Sequence, residues 1–116
     1  MKRFIEYIDK SVEALQQEEK LLASTDRKDE SNLVKIRINV YGICKSVYQV
    51  FAQTKKDDVL KRTYLEKLDS LATGWQETRD KAQEFNAVDK VVIEDIKLQT
   101  LSAVRLEFLK FWEGRA

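Results

Sequence analysis

The chain has 116 residues, 21 of them basic and 20 acidic, for a formal net charge of +1. It contains no His, no Pro, one Cys and three Gly. Those absences exclude an imidazole base or metal ligand, a Ser-His-Asp or Cys-His arrangement, an intrachain disulfide and a thiolate zinc cluster. Gly42, Gly74 and Gly114 are isolated from one another, whereas a phosphate-cradling loop needs several glycines within a few residues.

A first helix is expected over residues 2–25, where Ile5, Ile8, Val12, Leu15 and Leu22 follow a 3-4 spacing with Glu19 as the polar intruder. The polar stretch Ser24 to Asn32 forms the first connection, with Asp26 and Asp29 as candidate N-caps for the second helix.

Residues 30–54 carry two patterns. Val34, Ile36, Ile38 and Val40 alternate with polar residues as in a strand. Leu33, Ile36, Val40, Ile43, Val47 and Val50 keep helical spacing over a longer span, which favours a helix. Cys44 falls on the inner arc of that helix, beside Tyr41 and Tyr48, where packing rather than thiolate chemistry is expected.

A third helix is expected over 57–85. Asp57 and Asp58 sit in its first turn, where the helix dipole favours acids, and Tyr64, Leu68, Leu71, Trp75, Ala82 and Phe85 form its inner stripe. Gly74 is a candidate break, with Thr73 and Gln76 placed as a possible new capping pair. A fourth helix is expected over 87–113, with Asn86 as its cap. It is apolar nearly all round, as is an element buried on more than one side. The run Val104 to Phe108 also reads as a short strand in isolation. There are no internal repeats, no low-complexity segments and no linkers long enough to divide domains.

Four long helices with short connections imply an all-α, antiparallel up-down-up-down four-helix bundle forming one domain over residues 1–116. The N-terminus lacks the apolar core of a signal peptide, and no run approaches the ~18 apolar residues of a membrane span. A cytoplasmic protein without a membrane partner is the expectation.

No catalytic, cofactor or metal site is assigned. The carboxylate pairs Glu18/Glu19, Asp57/Asp58 and Glu94/Asp95 read as surface or capping groups. The tail Phe108, Leu109, Phe111 and Trp112 is the candidate partner-binding surface, because three aromatics in five residues cannot all face one core. The leading functional reading is an interaction protein of bacterial or phage type, binding itself as a homodimer or another protein. A small-molecule binder or carboxylate/Mg²⁺ enzyme is the alternative, with Tyr7, Tyr41, Tyr48, Tyr64, Trp75 and Trp112 available to line a pocket. A nucleic-acid accessory role is a second alternative. The acid-free stretch holding Lys35, Arg37, Lys45, Lys55 and Lys56 speaks for it, and the balanced net charge speaks against it.

Overall fold

The structure is a computed structural model that describes residues 2–114. Four helices occur in order: α1 (Lys2–Ser24), α2 (Lys28–Thr54), α3 (Asp57–Glu84) and α4 (Val88–Glu113). There is no strand among the described residues, so the protein is an all-α four-helix bundle. Both strand-like runs are helical. Val34, Val40, Cys44 and Tyr48 are buried at helical spacing along α2, and Leu101, Val104 and Phe108 along α4.

Each consecutive pair forms an antiparallel hairpin. In the first, Lys45 Nζ donates to Asp9 Oδ1 at 2.7 Å, and Ser31 Oγ donates to Glu19 Oε1 at 2.9 Å nearer the turn. In the second, Arg105 Nε donates to Asp69 Oδ1 at 3.0 Å, and Arg79 donates to Asp95 nearer its turn. The hairpins join through α2 and α4, which run parallel. Leu33 and Ile36 line a groove with Val92 and Ile93 at one end, and Tyr48 meets Phe108 at the other. The α1–α4 and α2–α3 contacts are lighter, and the backbones of α1 and α3 do not approach each other. The molecule is accordingly thin, 45 × 35 × 21 Å.

The four helices come closest around four rings. Phe4, Tyr48, Tyr64 and Phe108 are all buried and meet edge to face, with centroids 4.7 to 6.2 Å apart. Such pairs add about 0.5–1.5 kcal/mol each beyond the area they bury. Tyr64 Oη donates to the carbonyl of Cys44 at 2.9 Å, which satisfies the only polar atom that this ring brings into the core.

Three local expectations are corrected. Asp26 and Asn86 do not start helices; they end them. Asp26 has φ 63° and Asn86 φ 56°. The N–H of Arg27 reaches the Leu22 carbonyl at 2.9 Å, and that of Ala87 reaches the Ala82 carbonyl at 2.8 Å. Both turns therefore have the 6→1 bond of a Schellman motif, with Asp or Asn in the left-handed position that Gly usually fills. The residues at the N-caps of α2 and α4 are Arg27 and Ala87, with no side-chain cap bond, and Asp29 lies inside the first turn of α2. The third correction concerns Gly74. α3 runs through it unbroken, and Thr73 and Thr78 bond back to the carbonyls of Asp69 and Gly74. Ladder bonds on both sides keep the helix going, so the capping alternative at Thr73 has nothing to gain.

The absence of repeats expected from the sequence is corrected too, because the two hairpins share one backbone register. The second hairpin matches the first at an offset of 60 residues. Left-handed Asp26 corresponds to Asn86, and the buried residues Phe4, Ile8, Val34, Val40, Cys44 and Tyr48 correspond to Tyr64, Leu68, Glu94, Thr100, Val104 and Phe108. The ion pair Asp9–Lys45 corresponds to Asp69–Arg105. Glu19–Lys35 corresponds to Arg79–Asp95, with the sign of both partners reversed. The identical residues are Glu6/Glu66, Asp9/Asp69, Gln16/Gln76, Asp29/Asp89, Ile36/Ile96 and Phe51/Phe111. Most are polar and scattered. The six buried pairs keep burial rather than identity, whereas Leu22 corresponds to the smaller Ala82, and buried Ser31, Ile96 and Leu101 correspond to half-buried Val91, Ile36 and Tyr41.

Candidate interaction surface

Most of the C-terminal tail belongs to the chain's own core. Phe108 has no exposed surface. Phe111 is half-buried against Phe4 and Tyr7, with centroids 6.4 and 6.1 Å away. Trp112 packs on Phe108 at 5.5 Å, and Leu109 is half-buried. Phe108 occupies the position of Tyr48 in the repeat, and Phe111 that of Phe51. The two aromatics are therefore part of the hairpin's packing plan.

Of the aromatic residues considered as pocket linings, Tyr7, Tyr41, Tyr48, Tyr64 and Trp112 pack into one ring cluster through Phe4 and Phe108, and Trp75 lies apart from it. Tyr48 and Tyr64 are buried in the ring cluster. Tyr7 and Tyr41 share a hydrogen bond at 3.3 Å, and Trp75 lies under Lys97 Nζ at 5.6 Å from the ring. Burial raises the Tyr7 and Tyr64 hydroxyls above the ordinary phenol range and pushes the Cys44 thiol up to about 12. These groups are held in their neutral forms, which suits packing and not nucleophilic chemistry. An open groove of about 570 Å³ runs beside Tyr7 and Phe111, with Arg3, Glu6 and Lys10 along it.

Three of the five basic residues of the acid-free stretch have partners within the fold. Lys35 faces Glu19 at 3.5 Å, Lys45 pairs with Asp9, and Lys55 lies over the Phe51 ring. Among the described residues, no three acidic or Cys side chains gather as a metal site would require, and no helix is long and apolar enough to cross a membrane.

Glu94 is not a surface carboxylate. It is 5% exposed on α4. Lys97 Nζ lies 2.9 Å from its Oε2 and donates to Oε1 at 3.2 Å, while Oε2 accepts no well-aligned hydrogen bond. The repeat has Val34 here.

Among the described residues, three of the eight large exposed apolar residues lie near the α3–α4 turn, the others being Leu21, Ile43, Val50, Val59 and Leu106. Phe85 is 78% exposed, Val88 68% and Val92 41%. Helical spacing predicts Phe85 on the inner stripe of α3. The chain reverses at Asn86 immediately after it, so the ring projects from the turn, and the small Ala82 and Ala87 close the motif beneath. The equivalents of these residues in the first hairpin are Thr25, Lys28 and Asn32. Next to Val92 lies a groove of about 430 Å³ between the starts of α2 and α4, with Leu33, Ile36, Val92 and Ile93 as its walls and Asp29, Asn32 and Asp89 at its rim. The signal that could have revealed this surface is the 60-residue register. Only by comparing Phe85 with Thr25 and Val92 with Asn32 does their apolar character stand out.

In comparisons with protein-family models, with curated proteins and with solved structures, nothing matches this chain.

Proposed function

We propose that this protein works by protein–protein interaction through the α3–α4 turn end of the bundle. One observation carries the reading. Thr25, Lys28 and Asn32 occupy the same positions in the first hairpin, on the same kind of turn, so this backbone does not require apolar residues there. Phe85, Val88 and Val92 nevertheless are apolar and exposed. Contiguous exposed apolar surface is characteristic of sites that a partner covers, and a near-neutral chain has little charge repulsion to keep such surface apart.

The test grafts the repeat's own residues. A Phe85→Thr, Val88→Lys, Val92→Asn variant keeps the fold, because the first hairpin already uses those residues. Cross-linked complexes are compared between the wild type and this variant. The reading expects a complex, with itself or with another protein, that the variant loses. Identical complexes from both proteins would refute it.

A further inference from the structure

We propose that two copies of this chain exchange hairpins, so that α1–α2 of one copy packs against α3–α4 of the other. The contact between the hairpins is two-fold, and it does not involve the α3–α4 turn end. Four contacts within the buried ring cluster cross from one hairpin to the other. Phe4–Phe108, at 5.2 Å and 71°, corresponds through the repeat to Tyr64–Tyr48, at 5.4 Å and 83°. Phe4–Tyr64 and Tyr48–Phe108, at 5.9 and 6.2 Å, each correspond to themselves with the partners interchanged. A residue of one hairpin thus meets its counterpart's neighbour in the other, and the reverse, which is the pattern of an isologous dimer interface. The lighter α1–α4 and α2–α3 contacts are equivalents of each other in the same way. Each hairpin therefore presents what the other requires, and the same contacts form whether the two belong to one copy or to two.

The connection between the hairpins decides which of these occurs. It consists of Lys55 and Lys56, both in extended backbone, with ψ 148° and 158°. Asp57 follows at φ 51°, in the left-handed region. The turns after α1 and α3 close with a 6→1 bond onto the helix just ended, whereas this one steps away from α2 in extended backbone. No Gly or Pro lies between Gly42 and Gly74, so every residue of the connection is one that a helix accepts. In an exchanged dimer the connection no longer reverses the chain, and Asp57 relaxes to negative φ. Short connections under strain favour exchange of this kind.

Within one copy, the linked hairpins meet at an effective concentration on the order of 1 mM. Exchange competes as the chain approaches that concentration, and sooner the more the strain at Asp57 is relieved. The hairpins must separate and expose the ring cluster before they can exchange. Monomer and dimer therefore interconvert slowly and remain distinct during separation.

Gel filtration with light scattering on the whole chain, refolded from urea, tests the proposal. Refolding at about 10 μM is expected to give monomer, and refolding at about 1 mM a separate dimer with the same helical circular dichroism. Deleting Lys55 and Lys56 leaves one Cα step of about 3.8 Å to cross between helix axes about 8–10 Å apart, so this variant is expected to be dimeric at both concentrations. Inserting a short Gly-Ser segment between the two lysines relaxes the turn and is expected to give monomer at both. A cross-link identifies the exchange itself. Leu33 and Val92 line one groove from α2 and α4, so a flexible bismaleimide joins Leu33→Cys to Val92→Cys in a Cys44→Val background. On a denaturing gel the monomer fraction should give single chains and the dimer fraction paired chains. A wild type still monomeric after refolding at about 1 mM, a deletion variant that is monomeric or unfolded, or a dimer cross-linked only within single chains would overturn the proposal. The exchanged dimer should persist in the Phe85→Thr, Val88→Lys, Val92→Asn variant. A dimer lost there would belong to the turn-end surface, and exchange would fall while the interaction reading stood.

Discussion

Replacing Glu94 by Val is expected to stabilise the protein. The Glu94 side chain is 6% exposed, and its only charge partner among the described residues is Lys97, which is 30% exposed. Removing a buried carboxylate relieves a desolvation penalty of several kcal/mol, most of which its attraction to Lys97 had offset. Lys97 is not stranded by the change, because it keeps access to water and remains over the Trp75 ring. Glu and Val side chains have about the same volume, so neither a cavity nor a clash adds much. The first hairpin shows that the site accepts the change. Val34 fills the equivalent position at 2% exposure, with Arg37 where Lys97 stands. The net gain expected is about 1–2 kcal/mol, the lower part of the range for replacing buried ion pairs by apolar residues. At about 2.1 cal/mol/K of unfolding entropy per residue, this chain should gain about 4 °C in Tm per kcal/mol, hence about 4–8 °C. Thermal and urea unfolding followed by circular dichroism measure it, with the urea m-value unchanged. Glu94→Gln serves as the contrast. It retains a buried polar group without the charge attraction, so it should lose stability while Glu94→Val gains it. A loss of 1 kcal/mol or more in Glu94→Val would show that the Glu94–Lys97 pair contributes net stability, and the reasoning from the repeat would fail at this site.

Gly42→Ala and Gly74→Ala should each stabilise by up to about 1 kcal/mol in the same assay, because a mid-helix Gly costs that much relative to Ala and an added Cβ meets nothing within 4 Å at either position. The repeat has Ser102 and Ala14 there. Stability should fall as pH rises above about 9. The folded Cys44 thiol is pushed up to about 12 from an ordinary value of 9.0, and Tyr64 and Tyr7 are likewise raised above 10.0, so the unfolded chain releases protons first and gains from alkali. In Cys44→Val, which installs the repeat's Val104, the earliest part of that decline should vanish. An unchanged pH–stability curve for this variant would contradict the assignment. Tyr64→Phe, which installs the repeat's Phe4, should cost about 0.5–1.5 kcal/mol through loss of the bond to the Cys44 carbonyl. A neutral effect in urea unfolding would show that bond to be dispensable.

Helix content and order are legible in the sequence because the helical spacing of Leu33, Ile36, Val40, Ile43, Val47 and Val50 outlasts the short β-like alternation around Ile38. The four expected spans differ from the observed helices by no more than two residues at either end. Turn chemistry is harder to read because Asp and Asn serve two purposes. Their short side chains favour N-caps, and they also tolerate left-handed backbone; at Asp26 and Asn86 the second use prevails because a 6→1 backbone bond comes with it. The interaction surface is not legible for a related reason. Spacing places Phe85 on the stripe formed by Leu71, Trp75 and Ala82 only if the helix continues, and one left-handed residue after it turns the ring outward. Glu94 escapes notice because its neighbour Asp95 makes the two look like a solvated pair, whereas only Asp95 reaches the partly exposed Arg79.

The 60-residue repeat separates two kinds of divergence within one chain. Inside the bundle, differences between the halves are compensated by their neighbours. Where the first hairpin has Glu19–Lys35 the second has Arg79–Asp95, with both signs reversed and the ion pair kept. Where the first has the ring pair Phe4–Tyr48 the second has Tyr64–Phe108, with the hydroxyl on the other helix of the hairpin and both pairs in one edge-to-face cluster. Exposed apolar residues differ in another way. Phe85, Val88, Val92, Val50, Leu21 and Leu106 stand where the other hairpin has Thr25, Lys28, Asn32, Lys110, Lys81 and Ser46, and all six are exposed, so their apolar surface is not buried within the chain. A hydrophobic side chain left at the surface contributes little to folding, so stability of the monomer gives no reason for these differences. Three of the six, Phe85, Val88 and Val92, lie within eight residues at the α3–α4 turn, which is why that end is the one to test for a partner.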